Sequence, residues 1–234
     1  MTAGLYTLGG SSTVIENLAD KLGKKAVDVT IGALMFKHVP PKGTYGVGVI
    51  PMGNVLKIKK FLNDFDIVHN HHPIMNYLDL ISRKPFIYHY HGAPNFGKGT
   101  LFRLTMISSI KITNHRFDAI IAVSEAGRAE LKKCFNLTKT HVIYNGVDTN
   151  LFKVGLDERF RKGTPQFLFV GNLYEHKTVG ELILALEELI ETYPRAHLQI
   201  VGGGYAYAKL RNLVCKLNLQ EHVSFVGFAP YSEL

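Results

Sequence analysis

The sequence predicts an α/β protein of two doubly wound, Rossmann-like domains, the second of them incomplete. Three observations lead there. From Leu18 onward, short runs of β-branched and aromatic residues alternate with segments of helical period, the pattern of parallel strands joined by helices. Most of the runs are almost continuously apolar, as strands covered on both faces are. Three runs in the second part end in glycine, at Gly171 in FLFVG, at Gly202, Gly203 and Gly204 in LQIVGGG, and at Gly227 in VSFVG. A glycine there lets the backbone turn tightly out of the sheet toward a ligand.

Taken in order, Leu5 to Leu8 is the remnant of a first strand, and a helix is expected over 12–22, after the small residues Gly9, Gly10 and Ser11. Strands follow over 27–31 and 47–50, separated by 35–46, where prolines and glycines break any period and predict a mobile loop. A helix over 55–63, a strand over 67–69, a strand over 86–91 and a helix over 100–115 continue the alternation. Then come a strand over 119–123, a helix over 125–134 and a strand over 141–144. A charged segment, VGLDERFRKGTP over 154–165, marks a boundary between a first domain, 1–154, and a second, 155–234. The second alternates strands over 167–170, 198–201 and 223–226 with helices over 178–193 and 207–217. In the first of these helices Val179, Leu182, Ile183, Leu186, Leu189 and Ile190 recur at three and four residues, while Glu181, Glu187, Glu188 and Glu191 take the other face.

Composition excludes several classes. With 234 residues, 46% hydrophobic and 20% charged, the chain is neither disordered nor fibrous. No apolar run reaches the ~18 residues of a membrane span, and the N-terminus lacks a signal-like pattern, so the expected compartment is the cytoplasm. Two cysteines, Cys134 and Cys215, are too few for a disulfide framework; each lies in an amphipathic segment and is expected to be buried and reduced. The net charge of +8 is uneven: 19 Lys and Arg face 10 Asp and Glu in residues 1–154, against 8 and 9 in residues 155–234. That excess in the first part either attracts an anionic partner, a membrane face above all, or simply keeps the protein soluble.

The chemistry-bearing residues fall in two groups. In the first part, VHNHHP and YHYHG place His69, His71 and His72 near the end of one strand and His89 and His91 near the end of another. Alternate strand residues share a face, so His89 and His91, with His69 and His71 on the neighbouring strand, form a metal pair, or the imidazoles hydrogen-bond a sugar or phosphate, or they are structural packing. No cysteine or carboxylate lies close by to complete a ligand set, and no metal is assigned. Gly92 opens a glycine-rich loop after His91, and the Gly9, Gly10 and Ser11 turn offers an anion cradle at a helix start. In the second part, Lys177 stands just ahead of a helix N-terminus, where its ammonium adds to the positive end of the dipole. The glycines do not form G-x-G-x-x-G, because Tyr207 stands at its last position; a dinucleotide-dependent dehydrogenase is disfavoured.

Taken together, GGSSTVIENLADKL, DIVHNHHP, IYHYHGAP, DAIIAVSEAGRAEL, VIYNGVDTNLF, FLFVGNLYEHKTVGELILAL and LQIVGGG with VSFVGFAP resemble the retaining GT-B glycosyltransferases of family four (glycosyl transferases group 1). The resemblance implies a first domain that binds a hydroxyl acceptor and a second that binds a UDP- or GDP-linked nucleotide sugar, without a further cofactor. It places Gly10 near the donor phosphates, with Gly9, Gly10, Ser11, His71, His91 and Gly92 on the acceptor side. His91 falls beside the transferred sugar, and Asn145, Gly146 and Asp148 on an interdomain motif. Lys177 falls on the lysine that neutralises the leaving diphosphate; Gly171, Asn172, Gly202, Gly203 and Gly204 border the donor.

Three departures stand out. Asn172 replaces the arginine usual after the strand glycine, and an amide has neither the charge nor the fork of a guanidinium. The first strand is short. The two glutamates that contact the donor lie beyond Leu234, so this reads as a C-terminally truncated fragment of a longer enzyme, or another chain completes the second domain. The expected activity is hexosyl transfer with retention in glycan or lipid-linked synthesis, in the cytoplasm and peripheral on the inner membrane face, with no nucleic-acid partner. A non-catalytic binding protein and a GT-B-like nucleotide-sugar epimerase are the alternatives.

Overall fold

The computed structural model describes residues 5–6, 10–33, 35–36, 43–50, 54–92, 100–150, 152 and 165–229. The chain divides into two units between Gly146 and Val147, inside the segment that carries Asn145, Gly146 and Asp148. Most of the charged stretch expected to mark the boundary, residues 153–164, lies outside the described residues, as do Gly9 and the loop 93–99.

In the first unit the chain runs β1 (Leu5–Tyr6), α1 (Gly10–Gly23), β2 (Thr30–Ala33), β3 (Met35–Phe36), β4 (Gly46–Val49), α2 (Val55–Asn63) and β5 (Val68–Asn70). A 3-10 helix, Pro73–Leu80, leads to β6 (Phe86–Tyr90), α3 (Thr100–Thr113), β7 (Ala119–Ala122), α4 (Glu125–Phe135) and β8 (Thr140–Val142). All ladders are parallel: β5-β6-β7-β8 form one sheet, and β2 with β4 and β1 with β3 form two short pairs. The second unit holds β9 (Gln166–Val170), α5 (Val179–Thr192), β10 (His197–Val201), α6 (Tyr207–Lys216) and β11 (Val223–Gly227). Its parallel sheet has the order β11-β10-β9.

The elements form for local reasons. Ser124 caps α4 by accepting from Gly127 N at 3.1 Å, and Asn136 closes it in the left-handed region at φ 57°, a conformation asparagine tolerates well. Asn54 caps α2 through bonds from Leu56 N and Lys57 N. Where the structure departs from expectation, backbone geometry explains it. The strand expected from Val27 begins only at Thr30, because a turn closes at Ala26, whose φ is 60°. Part of the expected loop over 35–46 is sheet: Met35 and Phe36 pair with Leu5 and Tyr6, a partnership set by residues thirty positions away. Both cysteines are exposed, contrary to expectation; in α4 the buried positions are Gly127 and Leu131, in α6 Leu210 and Val214, which leaves Cys134 and Cys215 on the solvent side.

Two clusters pack around the four-stranded sheet: Ile50, Leu62, Val68, Met75, Leu78 and Phe86, and Tyr88, Tyr90, Ile110, Ile120, Ala122, Leu131 and Leu137. In the second unit Ile183, Leu186, Leu198, Ile200, Leu210 and Val214 knit α5 and α6 onto β10.

Candidate functional site

In the first unit the site is built by strand alternation. Val68 and Asn70 of β5 and Phe86, Tyr88 and Tyr90 of β6 point into the core, and the parallel register pairs Val68 with Phe86 and Asn70 with Tyr88. The intervening His69 and His89, with His71 and His91 just beyond the strand ends, therefore share the opposite face. They meet there as a packed group. His69 Nε2 lies 3.1 Å from His89 Nδ1, and His71 Nδ1 lies 2.9 Å from His91 Nε2. Ring centroids are separated by 4.3 Å between His69 and His71, 4.6 Å between His89 and His91, and 4.8 Å between His71 and His89.

Burial governs their protonation. It pushes His69 down to about 3 and His89 to about 4, each further lowered by neighbouring imidazoles, and holds His71, His72 and His91 below the usual histidine range. All are thus neutral near pH 7. A neutral imidazole donates from one nitrogen and accepts at the other; with Nε2 of His91 engaged by His71, its Nδ1 is the atom left to meet a ligand.

The wall behind them is fixed by a polar network. Asn70 Nδ2 donates to Asn76 Oδ1 at 2.7 Å and to His72 O at 3.0 Å. Ser109 Oγ donates to Pro73 O at 2.7 Å, and Tyr77 bonds Ser108 at 2.7 Å, tying the 3-10 helix to α3. Gly92 follows at φ +105°, and a Cβ there would meet nothing within 4 Å among the described residues. Gly10 opens α1, a Cβ on it would meet nothing within 4 Å among the described residues, and Ser11 is exposed beside it. Asn145 and Gly146 are exposed; Asp148 Oδ1 accepts from Asn150 N at 2.9 Å.

In the second unit the glycines end β9 and β10 side by side. Gly171 N donates to Val201 O at 3.0 Å and Leu173 N to Gly203 O at 2.9 Å. A Cβ on Gly202 would overlap Gly171 O, and one on Gly204 would overlap Leu173 O; these two glycines are required by the close approach of the protein's own backbone. A Cβ on Gly203 would meet nothing within 4 Å among the described residues. Asn172 and Lys177 are exposed. Lys177 ends a single 3-10 turn, Glu175–Lys177, and Thr178 at φ 52° bridges it to α5 without a side-chain cap, so the first N–H groups of α5 receive no bond from the Thr178 hydroxyl.

Sequence reasoning missed one feature here. The Tyr174 and Tyr205 rings stack at 4.9 Å and 12° beside this turn, and only the adjacency of the two strand ends brings them together.

Comparison with known proteins bears on both units. The family described as Glycosyltransferase Family 4 matches residues 8–151, and Glycosyl transferases group 1 matches residues 157–234. An uncharacterised glycosyltransferase of Methanocaldococcus jannaschii is 29% identical over 139 residues, 56% of this chain and 34% of that protein; the chain spans about a third of the length of this curated relative. Among solved structures, HepE of Anabaena, in complex with UDP and glucose, aligns with TM-score 0.74 at 20% identity, over 98% of this chain and 69% of that one. WaaG, a glycosyltransferase involved in lipopolysaccharide biosynthesis, aligns with TM-score 0.71 at 17% identity, over 100% and 72%. The α/β architecture with parallel sheets expected from the sequence matches these GT-B structures. On the match that covers residues 8–151, more than half of its length, the chain belongs to glycosyltransferase family 4.

Proposed function

We propose that the protein takes part in retaining transfer of a hexose from a nucleotide sugar to a hydroxyl of a glycan, glycolipid or lipid-linked acceptor. The observation that carries this reading is the family match over 8–151 and again over 157–234, which spans both groups of candidate residues. The UDP and glucose bound by the Anabaena relative favour a UDP-hexose over a GDP-linked donor.

In this reading residues 1–154 bind the acceptor and 155–234 contribute to donor binding. Departure of the nucleoside diphosphate builds negative charge; Lys177 and the uncapped start of α5 meet it, so the transfer step is assigned no cofactor or metal. Gly171, Asn172 and Gly203 give the donor backbone-level access. His91, neutral and held by His71, hydrogen-bonds the sugar; Gly10, Ser11 and Gly92 leave room around the acceptor. Asn145, Gly146 and Asp148 act where the chain passes between the units.

The direct test is Lys177→Ala in an enzyme competent for donor binding, read by calorimetric titration with UDP-sugar and by turnover. Affinity and rate unchanged from wild type would remove Lys177 from the mechanism.

Acceptors of the lipid-linked kind call for a membrane surface. Among the described residues no helix is long and apolar enough to cross one. However, α2 carries Lys57, Lys59 and Lys60 beside Leu56, 77% exposed, and Val55, 59% exposed, which suits peripheral docking on anionic lipid. Co-sedimentation should rise with acidic lipid and fall with salt; equal binding to neutral vesicles would argue against it.

A further inference from the structure

The histidine group holds more coordination chemistry than a sugar contact needs. We propose that His69, His71 and His89 form a binding site for a divalent transition-metal ion of the zinc class. The site shares His71 and its partner His91 with the sugar contact proposed above, and the ion supplies no step to the transfer.

Three observations carry the assignment. One ligand nitrogen from each of the three residues lies within 4.8 Å of the others. Tetrahedral zinc with bonds of about 2.0–2.1 Å places its nitrogens about 3.3 Å apart, a difference that small side-chain rotations close. Second, His89 Nε2 is buried without a partner among the described residues, in a residue only 6% exposed. An orphaned ring nitrogen at such depth costs free energy unless something binds it. Third, the four rings hold eight nitrogens, yet the bonds among them occupy four, one pair joining His69 to His89 and one joining His71 to His91.

The donor set decides the ion. Imidazole nitrogens without any carboxylate suit zinc, cobalt, nickel or copper and not magnesium or calcium, and three ligands leave the fourth position of a tetrahedron to water. His91 is a positioning residue for the site: its Nε2 fixes Nδ1 of His71 at 2.9 Å and so turns Nε2 of His71 toward the ion, as outer partners of ligating histidines do. Bound there, the ion would clip the end of β5 to the end of β6.

The experiment uses the full chain without a histidine tag, stripped with chelator and titrated with Co(II) and then Zn(II). One equivalent of Co(II) should give the intense visible bands of a four- or five-coordinate site, and Zn(II), but not Mg(II), should bleach them. His89→Gln and His71→Gln should each abolish stoichiometric binding, His91→Gln should weaken it by about 10–100-fold, and the exposed His115→Gln should leave it intact. Circular dichroism checks that each variant is folded; the wild-type spectrum judges the site should both ligand variants unfold. Absence of stoichiometric binding to wild type, a weak octahedral spectrum, or full binding by both folded ligand variants would overturn the proposal.

Discussion

A Cβ on Gly202 would overlap the carbonyl oxygen of Gly171, and the Gly202 backbone sits at φ +135°. Two glycines thirty-one positions apart are thus joined by a single constraint: the turn after β9 crosses the turn after β10 at a spacing that admits no side chain. Gly202→Ala combines strained backbone with a backbone clash, and should destabilise the second unit by about 1–3 kcal/mol. Gly203→Ala, whose Cβ would meet nothing within 4 Å among the described residues, should stay within about 0.5 kcal/mol of wild type. Urea midpoints followed by circular dichroism compare the two.

Charge beside the turn predicts a gain of function. Asn172 is exposed next to Gly171, where a guanidinium could add a bidentate bond to a diphosphate. Asn172→Arg should tighten UDP-sugar binding by about fivefold or more, the worth of one partly screened charged hydrogen bond. The gain should shrink as salt rises. An unchanged Kd at low salt would place the diphosphate elsewhere.

Acid should weaken the metal-free first unit through its histidines. Their folded pKa values lie below the ordinary 6.5, at about 3 for His69 and about 4 for His89. Below pH 6.5 the unfolded chain takes up protons that the folded protein does not. Stability is therefore full above about pH 6.5 and declines as pH falls toward 4 to 3, by ~1.4 kcal/mol per pH unit for each such histidine. Thermal midpoints from pH 7.5 to 4.5 should show it, and His69→Gln should flatten the slope.

The cap on α4 sets a purely structural benchmark. Ser124 Oγ accepts from Gly127 N at 3.1 Å, and Ser124→Ala removes that bond. A loss of about 1 kcal/mol is expected from the unfolding midpoint, while Ser124→Asp should retain most of the stability.

Much of the fold is legible in the chain because it depends on local period. The alternation in VGELILALEELIET predicts α5 to within a residue or two, and VLKIKKFLN predicts α2 at its observed ends. Glycine after an apolar run marks the ends of β9, β10 and β11. The same local signals misplace β2, because a positive φ at Ala26 delays the strand, and they overlook β3, whose ladder partner is β1. They also put the cysteines inside, since helical period fixes a face but not how much of it the neighbours cover.

The sequence by itself determined a parallel α/β chain with glycine-ended strands, two groups of candidate residues and a resemblance to a glycosyltransferase family. Tertiary structure decided which of those residues meet. His69 and His89 are twenty positions apart, as are His71 and His91, and only the pairing of Val68 with Phe86 puts the four rings on one face at bonding distance. It also showed that Gly202 and Gly204 stand where the protein's own backbone passes too close for a side chain. The physical reason is the same in both cases: periodicity is written in neighbouring residues, whereas register and close approach arise between segments that the chain must fold to bring together.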